Sequence, residues 1–354
     1  MKKITALLLA LVMAVSLCAC GGTSSSTDTS SDEESAATTT PEEPKGDPIE
    51  IKLCTIDPAA QVSNVILADM IEEISERTDG MVEIQLYTDG QMMVREEGVE
   101  AVMSNANVIV VSQSSYLSDY VPVMDAFSVP FLFPNIEVAD AFYNGEWFKD
   151  LMAESAEKGI HIICADSVTG FRNVIANTPV RNVADVQKLN LRLAGLSGLL
   201  AFWENMGANY NVIPFGDIFS SVQSGAIQGY ENNAQSIPLT KMYEACDELY
   251  FCETRHLMDG YFLICGEGFW QSIPEEYRSV LQDVLGQWGK KTTAALIEES
   301  DAAMKELPNY GVTIIPYEEI DVADFQQYAT PIIDEIERGD EVVAEIARIQ
   351  AELK

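Results

Sequence analysis

Histidine and positive charge are scarce in this chain of 354 residues: it has 2 histidines, and 21 Lys and Arg stand against 56 Asp and Glu, for a net charge of −35. No run of basic residues occurs. A protein so acidic repels polyanions, which excludes nucleic acid as a partner. His161 and His256 give a zinc or catalytic histidine site little to build from, and CxxC and HExxH patterns are both missing. No metal, no cofactor and no enzymatic activity is therefore expected. GxSxG, the serine-hydrolase elbow, is absent too, and no apolar run after the first twenty residues is long enough to cross a bilayer.

What the chain does have is length and hydrophobicity. At 47% hydrophobic residues it can bury one large domain or two lobes with substantial cores. The first residues are of another kind. Lys2 and Lys3 precede an apolar run that ends in Leu17-Cys18-Ala19-Cys20-Gly21, the pattern of a bacterial secretory signal with a lipobox. Cleavage after Ala19 would leave Cys20 as a lipidated N-terminus. An ordinary secretory signal or an uncleaved anchor is the alternative. From 21 to 48 the composition turns to Ser, Thr, Asp, Glu and Pro, which cannot bury enough surface to offset ordering entropy, so 20–48 reads as a disordered tether. The globular part is 49–354. It holds five cysteines, an odd number, and only Cys246 and Cys252 are close in sequence; bridged or buried thiols both remain open.

Periodicity predicts strand, helix, strand over 49–55, 61–77 and 81–87, then a helix at 95–103 and a buried strand at 108–111. Residues 121–133 are apolar but broken by Pro122 and Pro130, so no single element is expected there. A helix is predicted over 136–158 and a strand at 161–165, with His161 read as a core or edge residue. Strands at 171–176, 189–194, 210–213 and 227–231 alternate with helices at 183–187, 198–206 and 215–224 in a second α/β series. Two strands, 248–253 and 261–266, should be joined by a short polar loop. One long helix follows over 274–307, with Gly286 and Gly289 as weak points, then a strand at 312–315. Two helical segments over 322–353 are separated at Gly339-Asp340. The fold class is α/β in two lobes.

Two cations stand out on otherwise apolar strands, Arg172 and Arg192. Each is either in an internal ion pair with one of the many acids or in contact with an anionic ligand. A guanidinium suits the second role because its planar fork meets both oxygens of a carboxylate.

Taken together, Gly170-Phe171-Arg172, Leu191-Arg192, Phe202-Trp203 with Met206-Gly207-Ala208, Gln228-Gly229-Tyr230-Glu231-Asn232 and Thr240-Lys241-Met242-Tyr243-Glu244 resemble the DctP-type solute-binding subunits of tripartite ATP-independent periplasmic (TRAP) transporters. Glu76-Arg77-Thr78-Asp79-Gly80 and Val129-Pro130-Phe131-Leu132-Phe133 extend the resemblance over nearly all of 49–354. It implies a two-lobed periplasmic-binding-protein-like fold, with strands and a long spanning helix linking the lobes. Lobe 1 would take about 49–167 and 258–295, and lobe 2 about 168–257 and 296–354. It implies that Arg192 clamps a ligand carboxylate with help from Arg172 and Asn232, that Phe215 and Gln113 line the pocket, and that the partners are a small organic acid and integral-membrane permease subunits. The chain departs from the family pattern at three places. Asn233 replaces a frequent Pro, Asn105 and Asn107 stand where Gly and Asp are usual, and Ile56-Asp57-Pro58 occupies a loop where a histidine is common.

The reading is an extracytoplasmic receptor, lipid-anchored at Cys20 to the outer face of the bacterial cell membrane, that closes on a small organic anion. An ABC-type or sensor-coupled binding lipoprotein is the alternative within receptors. A secreted lipoprotein enzyme such as an esterase or glycosidase is the alternative outside them. Because so acidic a chain is not attracted to anionic lipid, the anchor must be the lipid itself. Cys20→Ala is expected to move the protein from the membrane fraction to the soluble one on fractionation; retention in the membrane would refute the lipobox.

Overall fold

The computed structural model describes residues 46–354; the leader, Cys20 and the tether as far as residue 45 lie outside the described residues. Nine strands form one sheet: β1 (Ile49–Cys54), β2 (Val82–Tyr87), β3 (Val108–Ser112), β4 (Ile160–Ala176), β5 (Asn190–Leu193), β6 (Asn209–Val212), β7 (Gly229–Asn232), β8 (Leu249–Gly266) and β9 (Val312–Ile315). Their order is β2-β1-β3-β8-β4-β7-β5-β6, with β9 on β8. β1 runs parallel to β2 and β3, and β5 runs parallel to β6 and β7, each set joined by helices as parallel strands require.

β4 and β8 hold the two halves together. They pair antiparallel from Ile160 opposite Gly266 to Ala176 opposite Tyr250, with register shifts on the way. One end of β8 takes β3 through Phe262 to Ile264, and the other takes β9 through Leu249 to Cys252. β7 joins β4 at its far end, Asn173 to Ala176. The sequence reading placed two shorter strands and a connecting segment in each of these stretches. Thr169, Thr254, His256 and Asp259 made them look like loop, yet all four are buried, partnered by one another or by the backbone, within two continuous strands.

Separate cores lie under the halves. Ile51, Leu53, Leu67, Ile74, Leu263 and Trp288 belong to one; Ile218, Tyr230, Ile237, Phe251, Leu307 and Val312 belong to another. The largest gathers Phe127, Phe142, Phe148, Phe202 and Trp203 with Ile346 of the last helix. The helix Trp288–Glu306 reaches from the first core, through Trp288, to the second, through Ala303.

Several predicted helices are divided. The single helix expected over 274–307 is Glu275–Leu285 and Trp288–Glu306, broken at Gly286. That over 136–158 is interrupted at Asn144-Gly145. The C-terminal region has three helices, Val322–Gln326, Thr330–Glu335 and Gly339–Glu352, so Gly339 begins the last one where a break was expected. The region 121–133 contains only the 3-10 helix Pro122–Ser128, as its prolines required. Asn105 adopts a left-handed φ of 57°, a conformation asparagine tolerates, which explains how it replaces glycine in that turn. The five described cysteines are free thiols, so Cys246 and Cys252 are not bridged.

Gly289 is a close approach and not a weak point. A Cβ there would lie 2.6 Å from the backbone nitrogen of Ser167 on β4, and its own N–H donates to Cys164 Sγ at 3.2 Å. Alanine in a helix ordinarily gains about 1 kcal/mol over glycine. Here that gain meets an overpacking penalty of roughly 1 to 3 kcal/mol against backbone that cannot yield. Gly289→Ala is expected to lower the urea midpoint; an unchanged or higher midpoint would show that the helix does not press on β4.

Candidate functional site

A cavity of about 360 Å³ opens where the middle of the β4–β8 pair meets the loop after β1, the ends of β5 and β7, and the helix Trp288–Glu306. All five residues expected in a pocket line it: Gln113, Arg172, Arg192, Phe215 and Asn232. Their surroundings differ, and so do the interactions open to them.

Arg192 occupies the middle of β5, where Leu191 and Leu193 point into the core and the period of two turns Arg192 to the opposite face. It is only 3% exposed. Nε donates to the Ile213 carbonyl at 2.7 Å, and Nη1 stands 4.0 Å from Glu231 Oε1. Among the described residues no acceptor within hydrogen-bond distance faces Nη1 or Nη2. Burial pulls the pKa down to about 10, opposed by Glu231. The group stays charged at neutral pH and has two donors turned to the cavity. Leaving buried guanidinium donors without acceptors is unfavourable, so the arrangement suits an anion in the cavity.

Arg172 shows the other behaviour. Its Nε and Nη2 grip both oxygens of Glu231, Nη2 also reaches the Glu231 carbonyl at 3.0 Å, and Nη1 donates to Asp259 Oδ2 at 2.9 Å. Burial works against the charge, but the Glu231 and Asp259 carboxylates outweigh it and hold the pKa above the ordinary arginine value. The same bidentate contact overcomes the burial of Glu231 and brings it to about 2. Asp259, also buried, receives the lesser share of Arg172 and feels Glu231 as a like charge, so its pKa is raised. The internal ion pair that composition suggested is thus what occupies Arg172, leaving one Nη1 hydrogen for anything in the cavity.

Asn232 is oriented by its neighbour. The Asn233 backbone N–H donates to Asn232 Oδ1 at 2.9 Å, which turns the Nδ2 donors outward. A proline at 233 would have no N–H to give. The departure from the family pattern at this position therefore makes Asn232 a donor toward the cavity. Gln113 Nε2 donates to Asp259 Oδ2 at 2.7 Å and braces that carboxylate. Phe215, in a 3-10 helix, is half-buried and supplies an apolar wall.

Sequence reasoning missed Glu231 and Asp259 as members of the network, and Tyr261 and Gln235 as lining. Asp259 sat in the stretch read as polar loop, so its signal was the polarity itself. The Asp57 loop, a departure from the family pattern, places a buried carboxyl in the cavity wall. Burial and the neighbouring Asp259 push the Asp57 pKa up to about 7. No group of three or more His, Cys, Asp or Glu among the described residues is placed to hold a metal ion.

A raised carboxyl pKa has a definite sign in stability. Between about pH 4 and pH 7 the unfolded chain releases the Asp57 proton while the folded one keeps it, so stability falls as pH rises through this window and levels off above it. The ceiling is roughly 4 kcal/mol at 1.36 kcal/mol per unit. Asp57→Asn should therefore be more stable than the ligand-free parent at pH 8 and converge on it near pH 4, as read by chemical denaturation; an equal gap at both pH values would refute the burial of this acid.

Known proteins share the sequence and the fold of this chain. The sequence profile of DctP, the bacterial extracellular solute-binding protein family 7, matches residues 56–340. The C4-dicarboxylate-binding periplasmic protein DctP of Rhodobacter capsulatus is 26% identical over 292 residues, 80% of this chain and 86% of its own length. A TRAP periplasmic solute binding protein from Desulfovibrio salexigens, in complex with diglycerolphosphate, has a TM-score of 0.80 at 26% identity and covers 86% of this chain and 98% of its own. Another, from Ochrobacterium anthropi with bound L-fuconate, has a TM-score of 0.76 at 23% identity, covering 84% and 99%. With a two-lobed α/β fold shared along its described length and a family match over most of its residues, this chain belongs to the DctP family of extracellular solute-binding proteins.

Proposed function

We propose that the cavity takes one small organic acid and that the protein delivers it to an integral-membrane TRAP permease. The observation that carries this reading is Arg192: a buried guanidinium with two donors facing a cavity and no acceptor assigned to them among the described residues. A carboxylate meets both Nη groups in the fork geometry. Asn232 Nδ2 adds a neutral donor and Arg172 lends its remaining Nη1 hydrogen, while its main part is to fix Glu231 and Asp259. Gln113 acts through Asp259, and Phe215 covers the carbon skeleton. The relatives bound to fuconate and named for C4-dicarboxylates support an acid ligand.

In this reading lobe 1 takes about 49–167 and 258–295 and lobe 2 about 168–257 and 296–354. The cavity wall draws on both, with Asp57 and Tyr261 on one side and Arg192 and Asn232 on the other. A ligand that touches both sides binds the closed arrangement better and shifts the population toward it. The receptor would be held at the outer face of the cell membrane by lipid on Cys20. It binds without turnover: the buried cysteines are poor nucleophiles, since burial pushes their thiols up.

A second reading replaces the carboxylate by a phosphate ester, because the structural relative at 26% identity holds diglycerolphosphate. Titration calorimetry with monocarboxylates and with glycerol phosphates separates the two. Arg192→Ala is expected to weaken the native ligand by about 2 to 5 kcal/mol with the melting curve retained. Unchanged affinity in that variant would overturn the clamp, and consumption of the ligand on incubation would overturn the receptor reading.

A further inference from the structure

Arg192 and Asn232 account for one end of the cavity. The other end has the opposite character. Asp57, three residues beyond β1, lines the wall with a carboxyl group that meets a single donor, the Tyr261 hydroxyl at 3.5 Å. Its direction is fixed by its backbone: the Asp57 N–H donates to Thr55 Oγ1 at 3.2 Å, and Asn64 Nδ2 donates to the Asp57 carbonyl at 3.1 Å. Asp259 stands near it, already engaged by Arg172, Gln113 and the Gly260 N–H. Glu299 and Glu306 line the same cavity from the helix Trp288–Glu306. Gln235, buried in the wall, has neither amide atom hydrogen-bonded among the described residues.

The charges separate along the cavity. Asp57 follows β1, Arg172 lies on β4 and Arg192 on β5, and the sheet order β1-β3-β8-β4-β7-β5 puts Arg172 between the two ends. Arg172 cannot compensate a further anion at the Asp57 end, because Glu231 and Asp259 already hold it. No other arginine or lysine lines the cavity. The cavity thus has donors for one acid group and, away from it, an acceptor short of a donor.

We propose that Asp57 is a specificity-determining residue that accepts a hydrogen bond from a hydroxyl or ammonium group on the part of the ligand remote from its carboxylate, so that the receptor selects monocarboxylates carrying such a donor and rejects dicarboxylates. The proposal rests on the assignment of Arg192 as the carboxylate clamp. A second carboxylate there would meet Asp57 and Asp259 with no free cation, and a plain methyl end would leave the buried carboxyl without its partner. Sites built to hydrogen-bond a substrate group discriminate strongly against analogues that lack it.

The test is calorimetric titration of the intact globular protein at about pH 8, where Asp57 is ionised, with succinate, 4-hydroxybutanoate and 4-aminobutanoate, and with the same three chain ends on the five- and six-carbon acids. The proposal expects a hydroxy or amino acid to bind at least about a hundredfold tighter than the dicarboxylate of equal length; which of the two leads identifies the donor. Asp57→Asn, with thermal melting as the folding control, should narrow that ratio at least about tenfold by admitting the dicarboxylate, because an amide offers it a donor. Equal affinity for dicarboxylate and hydroxy or amino acid in the parent, an unaltered ratio in Asp57→Asn, or no binding by any of the nine would overturn the proposal. Arg192→Ala on the same panel keeps the two claims apart. If it abolishes binding of all ligands while the parent shows no preference, the clamp stands and the role of Asp57 falls. If it changes nothing while the preference depends on Asp57, the clamp falls.

Discussion

Glu231 is completely buried and is the group on which the geometry of the site depends. It sits on β7, grips Arg172 of β4 with both oxygens and accepts the backbone N–H of Ala194 just past β5 at 3.3 Å; Arg172 in turn reaches Asp259 of β8. These are four neighbouring strands of the sheet, in the order β8, β4, β7, β5. A buried ion pair adds little net stability over a well-packed apolar replacement, since desolvation offsets the attraction. Its effect here is positional: it fixes the lateral relation of the strands that carry Arg192 and Asn232, and it places a negative charge 4.0 Å from Arg192, which keeps that guanidinium ionised despite its burial.

The network also explains why two arginines of similar burial differ in their hydrogen bonding. Arg172 is matched by two carboxylates and keeps a single Nη1 hydrogen unengaged. Arg192 receives one carbonyl and a distant share of Glu231. The difference follows from position: Arg172 lies on a strand flanked by β7 and β8, both of which present acids, whereas Arg192 lies between β6 and β7, and β6 presents Asn211 opposite it. An incomplete coordination of this kind lowers the stability of the protein.

The acidity of the chain has a local counterpart. Most of the excess negative charge is solvated and carries no information about the ligand. Asp57, Glu231 and Asp259 are different, because each is buried within or beside one cavity; Asp57 feels Asp259, and Asp259 feels Glu231. Whether such a cluster tolerates another anion depends on which cations remain uncommitted, and that is a property of the assembled site.

The sequence by itself determined the α/β alternation, the strand and helix positions of the first half, the family and the five residues that meet at the cavity. It could do so because periodicity reports which face of an element is buried, and because the family motifs keep their order and spacing. It did not show that β4 and β8 are continuous, since polar residues at mid-strand look like loop until a partner strand supplies Asp259 for Arg172. Nor did it divide the long helices at Gly286 and Asn144-Gly145, or show that Gly289 is a contact. Residue pattern alone left the two arginines equivalent, and the resemblance made Arg192 the clamp and Arg172 its helper; only the tertiary structure shows that two carboxylates hold Arg172 while Arg192 has one carbonyl. Hydrogen-bond saturation depends on neighbours brought together from β4, β5, β7 and β8, and no local pattern along the chain encodes that count.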